Sequence, residues 1–124
     1  MDCGVLFVYG SLKRGCELHH HLARLGARFM AGAKVAAERT NRGRYPGAHP
    51  TTRTGKWVRG ELFGLRRPAR DLRVLDQVEG FVPSAPQRCA FVRARAGIIL
   101  NSGVRRYAWI YWRAVPRSTG GLHG

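Results

Sequence analysis

Val5-Leu6-Phe7-Val8-Tyr9, followed at once by Gly10-Ser11, is the stretch of sequence that decides the fold. A short continuous run of β-branched, aliphatic and aromatic residues that ends in glycine and serine is typical of a strand buried on both faces. Glycine then allows the chain to bend sharply. We therefore predict a fully buried strand near the N-terminus with a tight turn directly after it.

Two short helices are predicted on either side of the middle of the chain. The first lies between Gly15 and Gly26, where leucines at positions 18, 22 and 25 keep helical spacing. The second begins at Pro68, which suits the first turn of a helix, and ends at Gly80, which suits a left-handed C-terminal residue. Its apolar face is formed by Leu72, Leu75 and Val78.

Most of the remaining chain is predicted to form strands. Gly60 and Gly64 interrupt one of them, which indicates a bulge or the close approach of another backbone or a ligand. The segment from Arg39 to Lys56 is rich in glycine, proline and basic residues and is predicted to be a loop. The expected strands are Phe29 to Val35, Trp57 to Leu65, Arg88 to Arg95 and Arg106 to Trp112, the last two joined by a turn at Asn101-Ser102-Gly103.

The order of these elements predicts a compact α+β domain. Strands outnumber helices and do not alternate regularly with them, which disfavours a doubly wound sheet. The length of 124 residues suits one domain, which we place at residues 1–115. Residues 116–124 have almost nothing to bury and are expected to form a flexible tail.

The apolar stretches, the first residues and the cysteines of the chain bear on its cellular location and on whether it binds metal. No apolar stretch approaches the roughly 20 residues of a membrane-spanning helix, so no membrane association is expected. The first residues, Met1 to Gly4, lack the basic start of a secretory signal, and we therefore expect a cytoplasmic protein. Cys3, Cys16 and Cys89 are odd in number and have no metal-binding spacing, so neither a disulfide framework nor a zinc site is predicted.

A formal net charge of +15 favours partners that are polyanions. The basic residues, however, occur singly or in pairs along nearly the whole chain, and no recognised nucleic-acid motif accompanies them. Any nucleic-acid binding is therefore expected to be non-specific and strongly dependent on salt. The alternative is a solvated basic surface without a partner.

Two places in the chain could carry chemistry. Backbone N–H groups at Gly10-Ser11 could converge on an anion, although a turn after a strand is more often structural. Glu79 ends an apolar helix beside Asp76, and the helix C-terminus, the neighbouring carboxylate and partial burial would each raise its pKa toward neutrality. The alternatives are an exposed glutamate in a final helical turn and, for Glu61, a strand residue paired with an arginine.

The adjacent histidines at positions 19 to 21 are not expected to bind a metal ion together. Consecutive side chains on a helix diverge, so they cannot grip one ion as a pair four residues apart could. We interpret them as surface residues or residues at the start of a helix.

An ordered set of short motifs, spread over residues 5 to 113, resembles the gamma-glutamylcyclotransferase-like family, especially its short branch of gamma-glutamylamine cyclotransferases. The set comprises Phe7-Val8-Tyr9-Gly10-Ser11-Leu12-Lys13-Arg14-Gly15, Tyr45-Pro46, Val58-Arg59-Gly60-Glu61-Leu62-Phe63, Leu75-Asp76-Gln77-Val78-Glu79-Gly80 and Tyr107-Ala108-Trp109-Ile110-Tyr111. The resemblance implies a small mixed β-barrel with short helices packed outside it.

The resemblance also implies a reaction and its residues. Backbone amides of Tyr9, Gly10, Ser11 and Leu12 would hold the carboxylate of a gamma-glutamyl substrate, and Glu79 would be the acid/base that releases 5-oxoproline and a free amine or amino acid. No metal or cofactor is required. The alternatives are a non-catalytic binder of small ligands with the same fold and a basic module associated with nucleic acid.

The sequence departs from the family pattern at two positions. Leu18 stands where family members often carry asparagine, and Pro86-Gln87-Arg88 stands where they often carry a Tyr-x-Arg segment. The missing tyrosine hydroxyl would alter how the substrate is bound.

Overall fold

The computed structural model describes residues 4–10, 12–40 and 47–114. The predicted tail, the Tyr45-Pro46 motif and Ser11 lie outside the described residues. The strands are β1 (Val5–Val8), β2 (Arg28–Thr40), β3 (Gly47–Pro50), β4 (Trp57–Gly64), β5 (Phe91–Leu100) and β6 (Arg105–Arg113). The helices are α1 (His19–Arg24), α2 (Pro68–Glu79) and a single 3₁₀ turn at Pro86–Arg88.

Five of the strands close into a barrel. They are paired in the order β2-β4-β1-β6-β5, and a further pairing of β5 with β2 closes the circle, while β3 extends the sheet beyond β2. The pairing of β1 with β6 is parallel and the others are antiparallel, so the barrel is mixed. The expected α+β class and the small mixed barrel with helices outside it are confirmed.

Strand β1 is buried on both faces, as predicted, because its two faces belong to different cores. Val5 and Phe7 point into the barrel with other apolar residues from all five strands. Leu6 and Val8 point outward and are covered by Leu22 of α1 and Leu75 of α2. All four β1 side chains are at most 5% exposed. The two faces of one short strand thus join the barrel interior to the helical layer.

Helix α2 has the predicted boundaries. Pro68 occupies its first turn, and Gly80 ends it with a φ of 73°, in the left-handed region that favours glycine. The N–H of Phe81 then donates to the carbonyl of Asp76 at 2.7 Å, which completes a Schellman ending. Neither this helix nor α1 is long and apolar enough to cross a membrane, and they are the two described α-helices.

The prediction of a loop from Arg39 to Lys56 is wrong for its first two residues and for residues 47–50, which form strands. Strand β2 continues to Thr40, and Gly47–Pro50 forms a strand that pairs with its end. The pairing is stabilised by Ala48, which is fully buried, and by a 2.8 Å hydrogen bond between Thr40 Oγ1 and His49 Nδ1. Glycine and proline obscured the pattern, because the partner that stabilises this strand is supplied by tertiary structure.

The two last strands are shifted or longer than predicted. The first begins at Phe91 and reaches Leu100, because residues 86–88 form the 3₁₀ turn and Gly97 is accommodated inside the strand. The second covers Arg105–Arg113, one residue longer at each end. Residues 101–103 form the expected turn between them.

Gly60 is a point of close backbone approach, one of the two possibilities predicted for it. A Cβ at this position would fall on the carbonyl oxygen of Val8 and 2.6 Å from Cζ of Phe7. Gly64 is less crowded, with Sδ of Met30 3.4 Å from the site of a Cβ. Only a residue without a side chain therefore lets β4 lie this close to β1.

We expect Gly60→Ala to destabilise the protein by about 1–3 kcal/mol, because the barrel must shift to accommodate the methyl group. The control is Gly97→Ala, where the nearest atom to the new Cβ is Cε1 of Tyr107 at 3.9 Å, an ordinary contact. Urea unfolding measures both. Equal stability of the two variants would contradict the proposed crowding at Gly60.

Candidate active site

The turn after β1 is held in place from two sides. The carbonyl of Gly10 accepts a hydrogen bond from the N–H of Lys13 at 3.0 Å. The carbonyl of Leu12 lies 2.9 Å from Nδ1 of His19, and a carbonyl can only accept, so this ring nitrogen carries the proton. Neither the Gly10 nor the Leu12 N–H donates to another described residue. Both donors are thus placed where a ligand could use them.

Glu61 braces the far end of the same turn. Its carboxylate accepts hydrogen bonds from the backbone N–H of Arg14 at 2.8 Å and from Nε of Arg14 at 3.2 Å. The Arg14 guanidinium also lies 3.6 Å from the centre of the Phe29 ring. The interpretation of Glu61 as a strand residue paired with an arginine is confirmed, and its role is to anchor the turn.

Tyr9 closes the end of the barrel with its side chain. Its hydroxyl donates to the carbonyl of Tyr111 at 2.6 Å and accepts from the N–H of Ala48 at 3.2 Å. Burial raises the pKa of this phenol to about 12, against a smaller opposing effect of the Ala48 hydrogen bond. The hydroxyl therefore joins β1, β3 and β6, and only the backbone of Tyr9 remains as a candidate for binding a ligand.

A cavity of about 390 Å³, its open mouth included, lies between this turn and the end of α2. It brings together the described members of the predicted site, namely Tyr9, Gly10, Leu12 and Glu79. Its other walls are apolar or aromatic and come from Phe7, Val8, Phe91 and Tyr111. Seven residues from other parts of the chain thus line the same cavity as Glu79.

Glu79 is half-buried at the last position of α2. Burial raises the pKa of its carboxyl from 4.5 to about 7. Its side chain makes no hydrogen bond or ion pair with another described residue. Near neutral pH the group therefore exchanges readily between acid and base, which is what proton transfer requires.

The expectation that Asp76 raises the pKa of Glu79 is wrong. The Asp76 carboxylate accepts hydrogen bonds from Nε and Nη2 of Arg93 at 2.7 and 3.1 Å and from the Tyr111 hydroxyl at 2.7 Å. These donors neutralise its charge. Burial and then the hydrogen bond to Asp76 raise the pKa of the Tyr111 phenol far above its ordinary value. Burial of Glu79 itself accounts for its shift.

The sequence interpretation did not assign the cavity-wall residues Phe7, Val8, Phe91 and Tyr111 to the site, nor Arg93, which binds Asp76. Asp76 offered a signal for the last two, since it stands beside Leu75 on the buried face of α2 and a buried carboxylate needs partners. Phe91 offered no such signal, because its position in the cavity depends on where β5 begins. Pro86–Arg88 is exposed and contributes no side chain to the cavity wall.

Histidine and cysteine side chains have structural roles near the site. His19 starts α1 and packs against Phe63, with ring centres 5.5 Å apart. The Cys89 thiol accepts from the N–H of Val82 at 3.2 Å, which holds the loop after Glu79. Within the described residues there is no group of three or more His, Cys, Asp or Glu that could hold a metal ion.

We expect the buried carboxyl of Glu79 to make stability depend on pH. Because its pKa is higher in the folded state than the unfolded value of 4.5, stability is lost as pH rises from about 4.5 to 7. Glu79→Gln removes this loss and should be more stable than the wild type by about 1–3 kcal/mol at pH 8, but not at pH 4.

Denaturant unfolding at the two pH values measures this difference. The control is Glu17→Gln, which alters an exposed carboxylate and should leave the difference between the two pH values unchanged. A Glu79→Gln gain of the same size at both pH values would contradict burial of an ionising group.

Comparison with solved structures supports the fold. A mouse AIG2-like protein is 22% identical, with 92% of this chain and 79% of that chain covered and a TM-score of 0.72. A protein described as gamma-glutamyl cyclotransferase is 17% identical, with coverages of 91% and 68% and a TM-score of 0.65. YkqA from Bacillus subtilis is 19% identical, with coverages of 97% and 39% and a TM-score of 0.69.

The chain matches a protein-family model but no individual curated protein. No curated protein matches the chain significantly. A family model described as "Gamma-glutamyl cyclotransferase, AIG2-like" matches residues 6–122, which include every described residue of the cavity. The chain therefore belongs to the gamma-glutamyl cyclotransferase, AIG2-like family.

Proposed function

We propose that the protein is a gamma-glutamyl cyclotransferase that converts a small gamma-glutamyl substrate to 5-oxoproline and a free amine or amino acid. The observation that carries this proposal is the placement of the Glu79 carboxyl, with a pKa of about 7, in the cavity that the Tyr9–Leu12 turn also lines. A proton acceptor thus faces a set of backbone donors. Membership of the family supports the same reaction.

In this proposal the turn binds the α-carboxylate of the gamma-glutamyl group. The backbone N–H groups of the Tyr9-Gly10-Ser11-Leu12 segment supply the donors, and Gly10 presents no side chain to block them. Built at Gly10, a Cβ would meet no atom within 4 Å, so the space beside this backbone is open. The aromatic walls of the cavity would shield these hydrogen bonds in part from water, which strengthens them.

Glu79 then moves one proton. Its carboxylate accepts a proton from the α-ammonium group of the substrate, and the nitrogen, now neutral, attacks the γ-carbonyl carbon. As the bond from this carbon to the leaving amine breaks, Glu79 returns the proton to that amine. The attacking nitrogen loses its second excess proton as the lactam N–H forms, and the released amine takes up this proton and departs as an ammonium ion. The carboxyl ends in its starting state, and a pKa near 7 suits both halves of this transfer.

Besides binding the carboxylate and transferring the proton, the protein has only to hold the substrate in a reactive conformation. Both reacting groups belong to one substrate molecule, so holding the substrate in a folded conformation supplies much of the rate enhancement. The chemistry needs neither a covalent intermediate on the protein nor a redox step. A turn that binds the carboxylate, a cavity that holds the substrate folded and one proton-transferring side chain are sufficient for it.

The second candidate is a ligand-binding protein without turnover. It is favoured by Pro86–Arg88, an exposed turn that stands where family members often carry a Tyr-x-Arg segment and that offers no tyrosine hydroxyl to a substrate. One experiment separates the two functions. The protein is incubated with a panel of gamma-glutamyl amino acids and gamma-glutamylamines, and 5-oxoproline and the released amine are assayed together.

We expect Glu79→Gln to bind the best substrate of the panel but to lower kcat by about 10²–10⁴, because the amide keeps the shape of the side chain and cannot accept the proton. Glu79→Asp should also be slow, since the shorter side chain misplaces the acceptor. For the wild type, kcat/KM should fall as pH drops below about 7, where Glu79 becomes protonated.

The matched control for these kinetics is Glu17→Gln, which lies outside the cavity. Unchanged 5-oxoproline production by Glu79→Gln would refute the mechanism. An inactive wild type that still binds members of the panel would establish the ligand-binding alternative.

We expect Gly10→Val to fold normally and to lose substrate binding. The Cβ has room in the unliganded structure, so the valine side chain would occupy the space beside the turn rather than disturb the core. Circular dichroism checks folding, and isothermal titration with the best substrate measures binding. Gly97→Val is the control, since this glycine is on the outer surface of β5, and normal binding by folded Gly10→Val would exclude the turn as the anion site.

A further inference from the structure

The charges of the chain are less evenly distributed than the spacing of the basic residues predicts. The seven acidic residues all lie before Gly80: Asp2, Glu17, Glu38, Glu61, Asp71, Asp76 and Glu79. Residues 80–124 contain none, although arginines continue through them. The described part of this region is dominated by the hairpin of β5 and β6. Arg93 of this hairpin is paired with Asp76, but the hairpin itself contains no acidic residue, so its positive charge exceeds what that pair neutralises.

The two faces of this hairpin differ in chemistry. Ala96, Ile98, Ala108 and Ile110 belong to or pack against the barrel core. The alternate residues point to the outside, because successive side chains of a strand lie on opposite faces. We call the part of this outer surface beyond α2 the arginine–aromatic face. It consists of Arg95, Gly97, Arg105, Tyr107 and Trp109.

The register sets these residues side by side. Arg95 is opposite Trp109, and its guanidinium carbon lies 5.8 Å from the centre of the indole ring. Gly97 is opposite Tyr107, and a Cβ on this glycine would lie 3.9 Å from Cε1 of the phenol ring. Because Gly97 has no side chain, no atoms project from β5 beside the Tyr107 ring at this position. Tyr107 is 71% exposed, and Arg95 and Arg105 are exposed on either side of it.

We propose that the arginine–aromatic face binds single-stranded nucleic acid. Arg95 and Arg105 would neutralise phosphates, and a base would stack on the exposed ring of Tyr107. Alternating cations and rings on a strand surface provide both contacts that sequence-independent recognition of single strands needs. The positive charge of the whole hairpin supplies the long-range attraction.

A single strand suits this surface better than a duplex does. Stacking requires a base that is not already stacked within a helix. The sheet surface at Gly97 has no side chain that could enter a groove of a duplex. This surface reads no base edges. The binding is therefore independent of sequence, and it involves a surface other than the cavity that holds Glu79.

The test measures fluorescence anisotropy of labelled oligo(dT) and oligo(rU) of about ten nucleotides with the full chain. Tyr107→Ser should weaken binding by about 5- to 150-fold at constant net charge, and Tyr107→Phe should restore it, because phenylalanine keeps the stacking ring. Trp57→Ser is the matched control. It removes another exposed aromatic residue, one that lies 4.4 Å from Nζ of Lys34 on a different strand pair.

The salt dependence tests the phosphate contacts. Arg95→Ser combined with Arg105→Ser should make the slope of log K against log salt shallower by about 1.4, as expected for two lost contacts to a single strand. The matched control, Arg24→Ser combined with Arg73→Ser, removes the same charge from the two helices and should leave the slope nearly unchanged.

Three outcomes would overturn the proposal. They are equal binding by wild type and Tyr107→Ser, tighter binding of a duplex than of its separate strands, and binding only to vesicles that contain phosphatidylserine. The first would mean that Tyr107 merely covers the backbone at Gly97, and the last would assign the face to a membrane surface. A lower stability of Tyr107→Ser, checked by urea unfolding, does not affect the comparison at temperatures where both proteins are folded.

Discussion

The burial of β1 on both faces is the constraint on which the other parts of the structure depend. Its inward side chains require a closed barrel around them, and its outward side chains require helices to cover them. Gly60 lets the neighbouring strand approach closely enough to complete the first requirement. The turn at Gly10 then emerges where the barrel ends and α2 ends, which is where the cavity forms. A strand of four residues thereby sets both the core and the location of the site.

The candidate site combines a rigid backbone with one adaptable side chain. The turn is anchored by His19 and Glu61, and Tyr9 fixes the barrel end beneath it. Asp76, bound by Arg93 and Tyr111, ties the last turn of α2 to the barrel wall without adding a net charge beside Glu79. Glu79 alone among these carboxylates has no such partner within the described residues. The fold thus leaves Glu79 as the carboxylate of this group whose charge no neighbouring donor within the described residues neutralises.

The charge of the protein is separated from the cavity in the structure. The described cavity is lined by no arginine, and burial raises the pKa of Glu79. The excess of arginine is instead displayed on the outer surface, most clearly on the hairpin of β5 and β6. The composition of the whole chain could not distinguish a charged site from a charged surface, because it does not record which face of a strand each residue occupies.

The sequence by itself determined the elements whose signal is local. These are the apolar run of β1, the helix between Pro68 and Gly80, and the motifs that indicated the family and from which Glu79 and the turn at Gly10 were predicted as its candidate site. Tertiary structure alone decided the rest. It formed β3 by pairing it with β2, directed Asp76 toward Arg93 rather than Glu79, and brought Phe91 and Tyr111 into the cavity. Each of these depends on partners 7 or more residues away. The periodicity of a segment describes its own faces, not what will lie against them.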